Sequence, residues 1–189
     1  MMQSTSCLLS INNYFYPRGG AEVLCLEQNR LLEGIGWQVV PFAMRHANNL
    51  PTPWASYFPD EIEFGRSYGL GAKLRNAQRV IFSLQARQKL RQLLGRVRPH
   101  IAHVHNVYHH LSPSILPLLK QRGIPVVMTV HDLKLACPAY TMMAENQPCE
   151  RCRGGRIHNV AVHRCIKGSL ALSSLIMLET FVHRLFRLY

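Results

Sequence analysis

Short apolar runs alternating with helix-patterned stretches constrain this chain more than any other feature. Residues 6–11 are mostly apolar and end at Asn12-Asn13, which fits a buried first strand. Residues 21–35 carry Val23, Leu24, Glu27, Leu31 and Ile35 at helical spacing, with Gly34 and Gly36 as a stop. Residues 37–44 read as a second strand. Prolines and glycines make 45–72 a long loop with one short helix at most. The spacing of Phe82, Ala86, Leu90, Leu93 and Val97 predicts one long helix over 73–98, ended by Pro99. Leu74, Ala77, Ile81 and Leu84 give its first half a second apolar side, so that half is expected to be buried on both sides. Residues 100–105 alternate as a strand. Ser112-Pro113 opens a helix that Gly123 closes, and the β-branched run 124–130 is the strongest strand signal. A last apolar helix starts near Gly168-Ser169.

Strand–helix alternation of this kind implies an α/β fold, a Rossmann-like parallel sheet flanked by helices. Such sheets bind ligands beyond the carboxyl ends of their strands. The expected rim therefore gathers the loop 17–20, the loop 105–110 and His131-Asp132. A length of 189 residues suits one domain, 1–189, with a cysteine-containing insertion at 137–165 before the C-terminal helix.

Charge is placed unevenly. The chain has a net charge of +12, and residues 64–131 contain no Asp or Glu. Arg66, Lys73, Arg75, Arg79, Arg87, Lys89, Arg91, Arg96, Arg98, Lys120 and Arg122 all fall in that stretch. Three readings stay open: a solvated helix face, a surface for anionic lipid, and a nucleic-acid footprint. The α/β pattern explains the last poorly, and no nucleic-acid partner is expected. No window is long and apolar enough for a spanning helix, and residues 1–11 lack a leader's basic region. A cytoplasmic location, with peripheral contact at the inner face of the membrane as an option, is the expectation.

Gly19-Gly20 lies between a strand and a helix start, where glycines let backbone N–H groups approach an anion. A two-glycine turn without a ligand is the alternative. The string His103-Val-His105-Asn-Val-Tyr-His109-His110 is open to three readings: a polar pocket for a hydroxylated ligand, a metal site, or satisfied loop histidines. His131-Asp132 reads as a ligand-facing pair or a structural turn. The last helix is too apolar to stand alone, and is expected to cover this domain, meet another, or lie on a membrane.

Six cysteines divide into two groups. Cys7 and Cys25 sit in apolar runs and read as core residues. Cys137, Cys149, Cys152 and Cys165 form a Cys-x2-Cys pair with one outlying partner on each side, spacing that suits structural zinc. Disulfides and unlinked thiols remain alternatives, and His158 or His163 could replace a cysteine. Four thiolates would leave zinc no open catalytic position.

The opening Leu8-Leu-Ser-Ile-Asn-Asn-Tyr-Phe-Tyr-Pro-Arg-Gly-Gly-Ala-Glu22 resembles the first strand–loop–helix of glycosyltransferase family 4. So do Ile101-Ala-His-Val-His-Asn106 and Pro125-Val-Val-Met-Thr-Val-His-Asp132. The cysteine segment, with Cys165-Ile-Lys-Gly-Ser169, looks like an insertion found in a subset of that family. The resemblance implies a retaining transferase of two Rossmann-like domains, of which this chain matches the N-terminal, acceptor-side one. It implies a nucleotide-sugar donor and a glycan or lipid-linked acceptor, as in polysaccharide biosynthesis. It places Gly19 and Gly20 near the donor phosphates and His131 near the donor sugar. His131 is accordingly expected to be the catalytic residue, Asp132 to join Gly19 and Gly20 in donor binding, and Asn106, Tyr108 and His109 to form the acceptor pocket. The family grips its donor chiefly through a C-terminal domain with a Glu-x7-Glu pattern. No such pattern lies within these residues, and the expectation is that this chain lacks that domain and needs it as a partner for transfer. No Asp-x-Asp motif is present, in accord with transfer that needs no catalytic metal. Two further readings stay open: a truncated, non-catalytic sugar- or lipid-binding module, and a zinc-stapled nucleic-acid binder.

Overall fold

Residue placement in the computed structural model is described for residues 6–62 and 69–188. Arg66, and the side chains of Lys73 and Leu74, lie outside the described set. The chain divides into two units, Met1–Thr129 and Val130–Tyr189.

The first unit is built on a parallel sheet of β1 (Cys7–Ile11), β2 (Gln38–Phe42), β3 (Ile101–Val104) and β4 (Val126–Met128), in the order β2-β1-β3-β4. All five residues of β1 are buried, as an apolar run in a central strand requires. Leu9, Ile11, Val40, Phe42, Ala102 and Val104 form the middle of the core. The strongest strand signal becomes an edge strand, β4. Only three of its residues pair, and Val126 and Val127 are exposed.

Helix α1 (Gly20–Gly34) buries Glu22, Cys25, Leu26 and Asn29. The periodic residues Val23, Leu24, Leu31 and Ile35 mark the opposite, exposed side. The pattern therefore located the helix but not its inner face. That face is set by small and polar contacts: Cys25 Sγ lies 3.4 Å from Ser10 Oγ of β1.

The single helix expected over 73–98 is two helices, α2 (Leu70–Ile81) and α3 (Leu84–Leu93). Phe82 and Ser83 between them are extended, and buried Ser83 caps α3 by accepting from the Ala86 N–H at 3.2 Å. This local bond offers the backbone an alternative to continuing the helix. Ala86, Leu90 and Leu93 are buried as expected, whereas Leu84 is exposed, against the expected second apolar side. α3 also ends before Arg98, because Leu94 caps it.

Ser112 accepts from the Ser114 N–H and starts a 3-10 turn, Pro113–Ile115, which continues as α4 (Leu116–Gln121). Gly123 ends this stretch at φ +67°, the left-handed conformation a glycine cap supplies. Among the described residues between 45 and the start of α2, one short helix is present, a 3-10 turn at Ala55–Tyr57.

The second unit contains a two-residue hairpin, β5 (Met143–Ala144) and β6 (Gln147–Pro148), then α5 (Asn159–Val162) and α6 (Leu170–Leu185). Glu145 and Asn146, at φ 52° and 60°, make the tight left-handed turn that suits a short hairpin. Ser169 caps α6 by accepting from the Leu172 N–H. The inner face of α6 is largely polar, with Ser173, Glu179, Thr180 and His183 buried beside Ile176. Its apolar residues Leu178, Phe181 and Leu185 are exposed. Inside the unit, Lys134 and Glu179 form a fully buried ion pair at 2.8 Å. No helix among the described residues is long and apolar enough to cross a membrane.

Candidate functional site

The sheet order sends the chain from β1 to one side and later back past it to β3. The crevice between the carboxyl ends of β1 and β3 is therefore the switch point where open α/β sheets bind ligands. Asn12 and Asn13, directly after β1, stitch this crevice together. The Asn106 N–H donates to Asn12 Oδ1 at 3.1 Å. Asn12 Nδ2 donates to the Tyr14 carbonyl at 3.1 Å and, at 3.5 Å, to buried Glu22 Oε1 at the start of α1. Asn13 Nδ2 donates to the Tyr108 carbonyl at 3.0 Å. The loop preceding α1 and the loop after β3 thus share one rim, as the topology argument expects.

Aromatic and cationic side chains line that rim. The Tyr14 hydroxyl lies 3.2 Å from His110 Nε2. The Arg18 guanidinium sits 4.1 Å from the centre of the Tyr14 ring, and Tyr16 stacks on His46 at 4.7 Å. Burial, then the charges of His109, Arg18, Arg79 and His46, push the His110 imidazole down to about 4. It is neutral at pH 7 and cannot serve as a cation there. Burial, as the largest cause, also pushes the Tyr14 phenol up. His109 holds a left-handed φ of 69° beside it. His103 and His105 lie on one face, as alternation predicts, with rings 4.2 Å apart. His103 Nε2 lies 2.7 Å from Thr129 Oγ1.

Gly19 and Gly20 are exposed at the α1 N-terminus. A Cβ on Gly19 would meet Glu22 Oε2 at 3.3 Å, whereas one on Gly20 would meet open space. Neither glycine holds a positive φ. Beyond β2, Arg45, His46, Asn49, Leu50, Phe58 and Asp60 line an open groove of about 800 Å3. This groove, and Asn12, Tyr14 and Glu22 as parts of the rim, were not legible in the sequence. A pair of asparagines closing the central strand was the available signal.

His131 and Asp132 belong to the second unit, half-buried at its start. Asp132 Oδ1 accepts from the Lys134 N–H at 2.8 Å, which fixes the turn. Lys134 Nζ donates to the Pro138 carbonyl at 3.1 Å and to Glu179.

In the same unit Cys137, Cys149, Cys152 and Cys165 all line one cavity of about 380 Å3, together with His163. All four are free thiols. Burial pushes the Cys152 thiol up, and the charges of Cys137, Cys165 and Cys149 push it further. Among the described residues, no group of three or more His, Cys, Asp or Glu side chains is placed to hold a metal ion as it stands.

Of the expected cations, several are spent on structure. Arg79 donates to the Asp60 carbonyl and to Gln85, Arg87 to the Ser114 carbonyl, and Lys89 to the Ser56 carbonyl. Arg75, Arg91, Arg96 and Arg98 stay exposed.

A family model described as Glycosyltransferase Family 4 matches residues 18–161, more than half of the chain. Among curated proteins and among solved structures, none matches. With the parallel sheet and its switch-point rim, that match makes the chain a glycosyltransferase-type α/β protein that belongs to glycosyltransferase family 4.

Proposed function

We propose that this chain is the acceptor-side half of a retaining transferase that moves a sugar from a nucleotide-sugar donor to a glycan or lipid-linked acceptor. The observation that carries the reading is open space at Gly20, on the α1 N-terminus beside the β1/β3 crevice. Packing within the chain does not require glycine there, whereas a diphosphate approaching the backbone amides does. In this reading Gly19 and Gly20 meet the donor diphosphate. The amides and the helix's positive end oppose the charge that grows on the leaving nucleotide. Asn106, Tyr108 and His109 face the acceptor, together with the groove lined by His46 and Asn49. His131 lies in the second unit, on a turn that the Asp132 carboxylate holds by accepting from the Lys134 N–H. A second, donor-gripping Rossmann-like domain completes the catalytic cleft. The exposed Arg75, Arg91, Arg96 and Arg98 support loose attraction to anionic lipid at the inner face of a membrane, in a cytoplasmic setting.

Saturation-transfer NMR with UDP-glucose and GDP-mannose on the chain tests the reading. At least one donor should receive saturation, and the signal should fall in Gly20→Asp, which sets a carboxylate against the diphosphate. Absence of transfer to either nucleotide sugar, or equal transfer in G20D, counts against it.

A further inference from the structure

We propose that Cys137, Cys149, Cys152 and Cys165 bind one structural zinc ion as a closed four-thiolate site in the second unit. The first observation is convergence. Four cysteines spread over 137–165 line a single cavity of about 380 Å3. They reach it from three places: the turn after Lys134, the segment leaving the β5–β6 hairpin, and the end of α5. The Cys149 N–H donates to the Met142 carbonyl at 2.8 Å, so the hairpin base delivers the Cys-x2-Cys pair. Cys152 then enters a 3-10 turn, Arg153–Gly155, in which Gly154 and Gly155 hold φ 68° and 85°. The Cys165 N–H donates to the Val160 carbonyl at 3.0 Å, which returns the last thiol to the same cavity.

The second observation is how little else holds this segment. Among the described residues of the unit, the buried apolar side chains are Ile157, Val160, Ala161, Ile176 and Leu188, with Pro138 beside them in the buried class. Tyr140, Met142, Glu145, Asn146, Arg164 and Lys167 all hold left-handed backbone without being glycine. Such conformations cost free energy and persist where something over-determines them. A small unit with so thin a core needs a staple, and zinc with four sulfurs is the one its chemistry suits. Cysteine-only donors select zinc over magnesium or calcium, which take oxygen. As they stand the thiols are not drawn together tightly enough to hold the ion. Capture therefore proceeds by rotation of cysteine χ1 angles into the shared cavity, with each thiol giving up its proton to solvent. The site does no chemistry on substrate, because four thiolates leave no open position.

The full chain, produced in zinc-supplemented cytoplasm and gel-filtered under reducing conditions, tests this by elemental analysis. Expected is one zinc per chain, retained in Cys7→Ser and His163→Ala and lost in the double variant C149S/C152S. Native chain should resist thiol labelling at the four cysteines until a chelator is added. Cobalt exchanged into the same chain should give a thiolate charge-transfer band, a readout that does not depend on the variants folding. Zinc-free protein with four freely labelled thiols, two disulfides by mass, or zinc retained in C149S/C152S would each overturn the proposal. None of these outcomes bears on nucleotide-sugar binding.

Discussion

At the scale of single residues, the two glycines should behave differently. Gly20 opens α1 with free space around it, so Gly20→Ala should leave stability within about 1 kcal/mol of the parent, or raise it. The same change should weaken nucleotide-sugar binding, because its methyl occupies the approach to the amides. Gly19→Ala pushes on Glu22 and, through it, on the Asn12 brace. It should therefore lower stability as well as binding; urea unfolding paired with donor titration separates the two effects. The Lys134–Glu179 pair makes a sharper case. Lys134→Met would strand a buried carboxylate and should cost about 3–5 kcal/mol. K134M/E179L should recover most of that in urea unfolding. A double variant as unstable as the single would mean that the ion pair does not set the cost. His110 predicts a pH dependence. Its folded value lies near 4 and its ordinary value at 6.5, so the unfolded chain takes up the proton first as pH falls. Stability should drop between roughly pH 6.5 and 4, by at most on the order of 3 kcal/mol from this group. His110→Gln should flatten that part of a plot of urea midpoint against pH.

At the scale of elements, periodicity found helices more readily than it found their faces or ends. α1 was legible as a helix, but its inner side carries Glu22 and Asn29, and an apolar count cannot single out such a face. The break between α2 and α3 was hidden because the apolar stripe runs on in phase through Phe82 and Ala86. What decides the break is one serine hydroxyl accepting from the Ala86 N–H. Ser83→Ala should therefore cost about 1 kcal/mol by thermal or urea unfolding. The run 124–130 was legible as a strand but not as an edge, because its far-side neighbour is a property of the whole sheet. The basic stretch was legible as charge, not as use. Arg79, Arg87 and Lys89 tie loops to α2 and α3, which leaves fewer cations for an anionic surface. Binding to phosphatidylglycerol vesicles should accordingly be weak, fall with salt, and vanish in R91E/R96E/R98E. Salt-insensitive binding would point instead to an apolar face such as that of α6.

At the scale of the molecule, the parallel sheet was the most legible feature, because a β/α alternation admits few windings, whereas the order β2-β1-β3-β4 emerges only in the structure. The rim followed from that winding, and the loop after β3 shares it with the loop preceding α1. The braces that shape the rim were not legible. Asn12 and Asn13 announce themselves only once β3 lies beside β1 and their amides find partners 94 and 95 residues away. The central claim is that the α1 N-terminus at the β1/β3 crevice receives a nucleotide diphosphate. Amide chemical-shift mapping of the labelled chain during titration with UDP and GDP tests it directly. Saturable shifts should concentrate on Gly19, Gly20, Ala21 and the loop after β3. Shifts confined to the arginines of α2 and α3, or growing without saturation, would contradict it.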